Sequence, residues 1–316
     1  MESFEFESGD VLENVDVEYR TKGIPRFDDE GNITNAIIFC PTLKGGHSVL
    51  AKFQEYLKRH GNFDDDEYFF ITVISLGVPD SCSPSSTGLK NNFPKYTFLD
   101  CVNFKKQFLK EKFNITNIFG LLGEGSGGFE IFTWACEYPD DMEWIIVLNS
   151  SFKTSGYFYI FVKWVKSLIE SSDDFNSGGY DVSLSNLVVS INILLFSGYL
   201  SRNIISNASV DELDVLIDDF VDEGLYTDIY DFNSHNDCIA EYDVEDKLSN
   251  IKAKSLFIGA HNYLFVDVDK DMLPLKDLVD NSEVVSIYPN QNHYYEEEDY
   301  FDGVNAIISF LNEFKK

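Results

Sequence analysis

Short runs of β-branched and aromatic residues recur along the chain, at Ala36 to Phe39, Tyr68 to Ile74, Asn117 to Leu122, Trp144 to Leu148, Ser255 to Ile258 and Val284 to Ile287. Each has the length and make-up of a buried strand. Segments with helical spacing lie between them, at Thr97 to Glu111, Gly127 to Glu137, Leu273 to Asp280 and Asp302 to Phe314. Phe98, Val102, Phe108 and Leu109 give the first of these an apolar stripe. The alternation predicts an α/β protein, with a mostly parallel central sheet flanked by helices.

Between about Lys153 and Tyr242 the strand pattern stops, while helical periodicity continues through Tyr157 to Ile169, Leu184 to Leu200 and Val210 to Phe220. Because strands resume at Ser255, this stretch interrupts one domain. Residues 1–152 and 243–316 form the expected core, and residues 153–242 a helical lid over the carboxyl ends of the strands, where such sheets bind ligands. The most apolar stretch, Leu187 to Leu200, is broken by Ser190, Asn192 and Ser197 and is too short to span a bilayer.

The 316-residue chain is 44% hydrophobic and 15% aromatic, enough for a sizeable packed core. Its formal charge of -30, from 54 acidic against 24 basic side chains, repels phosphate backbones and argues against nucleic acid as a partner. The acidic runs Asp28 to Glu30, Asp64 to Glu67 and Glu296 to Asp299 read as solvated surface. Five scattered cysteines without CxxC spacing fit a reducing cytoplasm, and the N-terminus lacks the basic and apolar regions of a secretory signal. No membrane association is expected. His47, His60, His235 and His261 show no metal-ligand spacing, and no metal is expected.

After the strand ending at Leu122 comes Gly123-Glu124-Gly125-Ser126-Gly127-Gly128, then the helical Phe129 to Ala135. A strand, a tight turn of small residues and a helix make the setting of a nucleophile elbow. There the residue at the apex has a strained backbone, and its neighbours two before and two after must be small because strand and helix nearly touch. Two registers are open. With position 125 at the apex, Gly123 and Gly127 satisfy the steric rule, but the apex carries no nucleophile. With Ser126 at the apex a hydroxyl is available, but Glu124 fills a position that should be nearly free of side chain.

Several further segments, in order, resemble the homoserine O-acetyltransferase family of the α/β-hydrolases. Phe6-Glu7-Ser8-Gly9 with Val17 to Gly23 resembles that family's opening hairpin, and Cys40-Pro41-Thr42-Leu43-Lys44-Gly45-Gly46-His47 resembles the loop that supplies one oxyanion donor, here the N–H of Leu43. Leu76-Gly77 with Ser83-Pro84-Ser85-Ser86 resembles its Pro-Ser-Ser loop, and Phe93-Pro94, Thr97, Asp100, Val102 and Gln107 resemble its Phe-Pro-x-x-Thr helix start. Gly127-Gly128 and Trp134-Ala135 stand at matching spacing. Asn176, Gly178-Gly179-Tyr180 and Asp231-Phe232-Asn233 resemble lid landmarks, and Asn292-His293 resembles the Gly-His of the catalytic histidine. The resemblance implies an α/β-hydrolase fold with a lid. It also implies acetyl transfer from acetyl-CoA to homoserine through an acylated elbow serine, and dimerisation through the lid helices.

That chemistry needs a hydroxyl activated by His, a carboxylate orienting the His, and two N–H groups facing the oxyanion. His293 is present. Matched to the family, Gly125 falls at the nucleophile and Ser126 at the second oxyanion N–H. The carboxylate expected in an Asp-x-Leu-Phe segment is Asn262, in Asn262-Tyr263-Leu264-Phe265. In a serine-protease triad that change costs about 10⁴-fold, and loss of the nucleophile about 10⁶-fold. The arginine that grips the substrate carboxylate falls near Lys166, a point charge in place of a fork. The acid after the histidine, expected to meet the substrate amine, is Tyr294. The run Glu296 to Asp299 would favour a protonated histidine and repel acyl-CoA phosphates.

Two readings follow. In one, family catalysis is lost or altered, no cofactor is bound, and the cleft or lid takes a small molecule or a protein partner. In the other, an active acyltransferase or esterase uses Ser126 as a displaced nucleophile with His293, with Asn262 or a nearby acid such as Asp267 orienting the ring and acetyl-CoA as co-substrate. Cys82, in Ser81-Cys82-Ser83, is a more distant candidate nucleophile.

Overall fold

The computed structural model describes residues 1–42, 50, 54–55, 58–59, 67–79, 81–200, 202–288 and 301–314. The chain opens with a small hairpin, β1 (Ser3–Glu5) and β2 (Val11–Glu13), and then enters a seven-stranded sheet. The sheet comprises β3 (Tyr19–Gly23), β4 (Ala36–Cys40), β5 (Phe69–Val73), β6 (Ile118–Glu124), β7 (Met142–Leu148), β8 (Lys254–Ala260) and β9 (Ser282–Ile287). Their order is β3-β5-β4-β6-β7-β8-β9. Only the β3–β5 pair is antiparallel, and the other pairs are parallel. The expected mostly parallel sheet is present.

Central strands of such a sheet are covered on both faces, so they read as unbroken apolar runs. All five residues of β4 are accordingly buried. Successive side chains serve opposite layers. Ile38, Leu121, Ile145 and Phe257 pack with helix α1 (Phe98–Phe113) and helix α2 (Ser126–Glu137). Ile37, Leu122, Ile146 and Leu256 pack with Val304, Ile307 and Phe310 of the last helix. Thr97 caps α1 with a reciprocal capping box, its hydroxyl accepting from Leu99 and Asp100 while the Asp100 carboxylate accepts from Thr97.

After β7 the chain leaves the sheet through a two-stranded neck, in which Lys153 bridges Asp243 and the amides of Thr154 and Val244 donate to Tyr242 and Phe152. Beyond the neck lie α3 (Gly156–Glu170), α4 (Val182–Tyr199), α5 (Val210–Leu225) and α6 (Ile229–Ala240), with short helical turns at Asp173–Asn176 and Arg202–Asn207. Helices α3, α4 and α6 share a core of their own, which includes Val165, Ile169, Leu184, Val188 and Tyr230. Within this helical insertion the Asn236 amide of α6 donates to the Val162 carbonyl of α3 at 3.0 Å, and the insertion is joined to the core by Leu264, whose N–H donates to Gly198 at 3.1 Å.

One expected helix takes another form. Instead of running from Leu273 to Asp280, the backbone makes a wide turn over Val268–Met272 and a short helix over Leu275–Leu278. Pro274 lacks the N–H that would continue the first turn, and Asp267 caps it by accepting from Asp269. The last helix, α7 (Phe301–Asn312), closes the second layer.

Candidate active site

The central turn sits where β6 hands over to α2. Gly125 has φ 54° and ψ -122°, a combination that strains any residue with a Cβ. Its N–H donates to Leu148 at 3.1 Å, and its carbonyl accepts from Gly128 at 2.9 Å and from the Ser150 hydroxyl at 2.8 Å. The bend is therefore held from β7 and from its own helix. A Cβ at position 127 would lie 2.0 Å from the Cys40 carbonyl oxygen, and one at position 123 would lie 2.8 Å from the same atom. Strand β4 thus forbids side chains two residues either side of position 125, which is the steric rule of an elbow with that residue at its apex. At position 125 itself a Cβ would meet, among the described residues, the Thr42 methyl at 3.1 Å. Ser126, half-buried, is the first residue of α2 rather than the bend.

Beside the bend lies a small, partly open cavity lined by Gly125, Phe129, Asn149, Ser150, Ser151, Phe158, Phe265 and Val266. Phe158 comes from the lid helix α3 and meets Phe265 with ring centroids 5.2 Å apart. One wall is apolar and the other carries hydroxyl and amide groups, the usual division between bulk binding and orientation in a small-molecule site.

Two residues that the sequence did not single out for a role stand at this edge of the sheet. Glu124, half-buried at the end of β6, hydrogen-bonds the Asn149 side chain, and burial raises its carboxyl above the ordinary value. Asn149 has φ 42°; its N–H donates to Ile258 and its side-chain oxygen accepts from Ala260, both at 2.8 Å. With that oxygen committed, its NH₂ is the group that serves Glu124. Behind the bend, the Lys105 ammonium of α1 pairs with Glu130 of α2, both buried. The same ammonium hydrogen-bonds the Cys40 thiol, which burial pushes up to about 12.

Among the other residues considered from sequence, Asn262 lies in the turn after β8 with φ 72°, exposed, its carbonyl accepting from Arg202 at 2.7 Å. It does not line the cavity, although Phe265 of the same segment does. Lys166 is not brought to the cavity either. Its ammonium faces α6, donating to Asp237 at 2.5 Å with Glu170 at 3.3 Å, because those carboxylates lie one helix away and one turn along. Asp267 caps its helical turn and pairs with Lys270 at 2.9 Å, so it is already occupied. Cys82 is buried and its thiol is pushed up to about 11 by that burial, which removes the thiolate a nucleophile needs. His261 stacks on Tyr288, ring centroids 4.0 Å apart. Leu43, His47, His60, His293 and Tyr294 lie outside the described residues, as does the run Glu296 to Asp299. Among the described residues no group of three or more His, Cys, Asp or Glu is placed to hold a metal, and no helix is long and apolar enough to cross a membrane.

Residues 35–179 match the family model described as the alpha/beta hydrolase fold. A curated relative from Methanothermobacter thermautotrophicus, described as a probable acyltransferase, is 35% identical over 285 residues, covering 90% of this chain and 88% of its own length. A homoserine O-acetyltransferase of Pasteurella multocida is 28% identical over 191 residues, 56% of this chain and 52% of that protein. Among solved structures, an acetylester hydrolase from Corynebacterium glutamicum superposes with a TM-score of 0.80 at 21% identity, covering 97% of this chain and 94% of its own, a likeness of fold.

Proposed function

Because the chain belongs to the homoserine O-acetyltransferase branch of the α/β-hydrolases, we propose that it is a family member that does not form an acyl-enzyme. In place of that reaction it holds a small ligand without a covalent bond in the cavity beside Gly125. The observation that carries this reading is the backbone of Gly125, φ 54° and ψ -122°, in the bend between two side-chain-free flanks. The position that would aim a hydroxyl has no side chain. The neutral Asn262 in the family's acid segment supports the same reading, since an amide cannot stabilise an imidazolium as a carboxylate does. The lining favours a small molecule with an apolar part against Phe129, Phe158 and Phe265 and a polar end toward Ser150 and Ser151.

A second reading keeps catalysis, with Ser126 as a displaced nucleophile, His293 as base and acetyl-CoA or a simple ester as acyl donor. The half-buried position of Ser126 directly after the bend favours it. A fluorophosphonate probe followed by intact-mass measurement separates the two. The first expects an unmodified chain under conditions that label an active relative, and a stoichiometric adduct on Ser126 would overturn it. We further propose a cytoplasmic homodimer formed through the lid, on the strength of Tyr157, Ile160 and Trp164, which α3 exposes at helical spacing. Light scattering giving one chain's mass at micromolar concentration would refute the dimer.

A further inference from the structure

The lid is seated on the core by the inner face of α6, and that face carries two buried ionisable groups one turn apart. Asp231, 1% exposed, accepts from the Ser85 N–H at 2.7 Å and from the Ser85 hydroxyl at 2.5 Å, in a core loop where Ser83 also reaches its carboxylate. His235, 3% exposed, sets its ring edge-on to Phe98 of α1, centroids 5.9 Å apart. The Lys105 ammonium of α1 acts on the imidazole through its charge, with Glu130 of α2 as that ammonium's own partner. Asp231 further interacts with Asp228, which the Tyr180 hydroxyl binds, and with Tyr96; around these groups lie Cys238 and Cys101 beside Tyr96, Asp100 beside Cys238, and Tyr242 on the Phe98 ring that His235 meets.

Charge is costly at both positions, for different reasons. An imidazolium at 235 would sit out of water beside a second fixed cation. A carboxylate at 231 keeps its Ser85 and Ser83 donors, has no ion-pair partner among the described residues, and feels the charge of Asp228. We propose that in mild acid seating the lid moves one proton from His235 to Asp231 through solvent, so that seating is insensitive to mild acid while both side chains are present and becomes acid-sensitive in opposite directions when either is removed. The exchange balances: an exposed imidazolium and carboxylate become a buried neutral imidazole and a buried carboxylic acid, with the same number of protons on each side.

The direction of each half follows from linkage. Burial pushes the Asp231 carboxyl from 3.8 up to about 6, so its contribution favours the seated lid at low pH and is lost as pH rises through that value. Burial and Lys105 push His235 from 6.5 down to about 4, so its contribution favours the seated lid above the exposed value and is lost as pH falls toward the buried one. Between these limits the two slopes oppose each other. The consequence reaches the cavity, because Asn236 of α6 holds the backbone of α3 at Val162, and Phe158 of α3 lines the cavity beside Gly125.

Hydrogen exchange read by mass spectrometry on the full chain, corrected for the intrinsic pH dependence of exchange, tests this in peptides covering α6 and α3, with strands β6 to β8 as internal control. Between pH 7 and pH 5 the native chain should keep its lid protection to within about threefold. Asp231→Asn should lose on the order of ten- to twentyfold over that interval, His235→Leu should gain about tenfold, and the double variant should again be flat. Equal pH profiles for the native chain and either single variant would overturn the proposal, as would a tenfold acid loss in the native chain. Should His235→Leu not fold, the proton-resonance titration of His235 in the native chain decides. A ring that stays neutral at pH 5 supports the exchange, and one that protonates near its ordinary value refutes it.

Discussion

Restoring a hydroxyl at the bend is the most direct perturbation the structure suggests. Among the described residues the new Cβ of Gly125→Ser would meet one atom, the Thr42 methyl at 3.1 Å, a side-chain tip that can move by a few tenths of an ångström. Packing therefore does not exclude the serine. Backbone strain is the larger effect: φ 54° with ψ -122° lies in a region open mainly to glycine, and holding another residue there costs about 1–3 kcal/mol. Gly125→Ala carries the same strain without the oxygen, so both variants should lose about 1–3 kcal/mol in urea denaturation, equally within error. Only the serine variant should then be labelled by a fluorophosphonate, at position 125. On the proposed reading, in which the neutral Asn262 takes the acid's place, its labelling should be slow, since that deficiency costs about 10⁴-fold in a serine-protease triad. Labelling of the native chain at Ser126, or no loss of stability in either variant, would refute the reasoning, since each would mean that Gly125 is not the strained apex.

Adding Asn262→Asp to Gly125→Ser should raise the labelling rate by orders of magnitude, while Asn262→Asp alone should leave stability within about 0.5 kcal/mol, because φ 72° at an exposed turn suits Asp as well as Asn; a rate unchanged by the added carboxylate would remove Asn262 from the site. Lys105→Met should cost about 3–5 kcal/mol in denaturant, since it leaves Glu130 buried without its cation, and combining it with Glu130→Leu should recover most of that loss. Glu124→Gln should be more stable than the native chain at pH 7, with the gap closing as pH falls toward 4.5, because the raised folded value makes the carboxylate's burial penalty present at neutral pH and absent once the group is protonated in both states. Parallel denaturation curves at the two pH values check the sign, and a native chain more stable than the variant at pH 7 would show that Glu124 has a compensating cation.

What could be read in the sequence divides along a physical line. The strands were legible because full burial on both faces of a parallel sheet demands apolar runs, as in Ile37-Ile38-Phe39. The glycines of the turn were legible because two backbones approach within a Cβ's reach of each other there, and such contact limits composition more than any other feature of the chain. The Lys105–Glu130 pair left no comparable mark, since a lysine and a glutamate on two helices look like surface residues until the helices pack. The same holds for Glu124, which only the position of Asn149 across the strand ends turns into a bonded, half-buried carboxyl. Lys166 shows the converse: a match in sequence brought it near a substrate-binding role, and the approach of α6 gave its ammonium to Asp237. The segment from Leu273 to Asp280 was misread as one helix because apolar spacing was weighed above the break at Pro274.

The apex itself joins stability to chemistry. A strained backbone at an elbow is held in place by its surroundings, here Leu148, Gly128 and Ser150, all of which bond the peptide groups of Gly125 rather than any side chain. That scaffold therefore survives whichever residue occupies position 125, while the strain does not: glycine reaches φ 54° freely. A chain with glycine there gains about 1–3 kcal/mol over one with serine and gives up the nucleophile. Selection for acyl-enzyme chemistry works against that exchange, and its absence leaves the exchange favourable. The tight flanks at positions 123 and 127, which a plain turn has no need of, are on that reading kept in place by packing alone, because the Cys40 carbonyl lies against them.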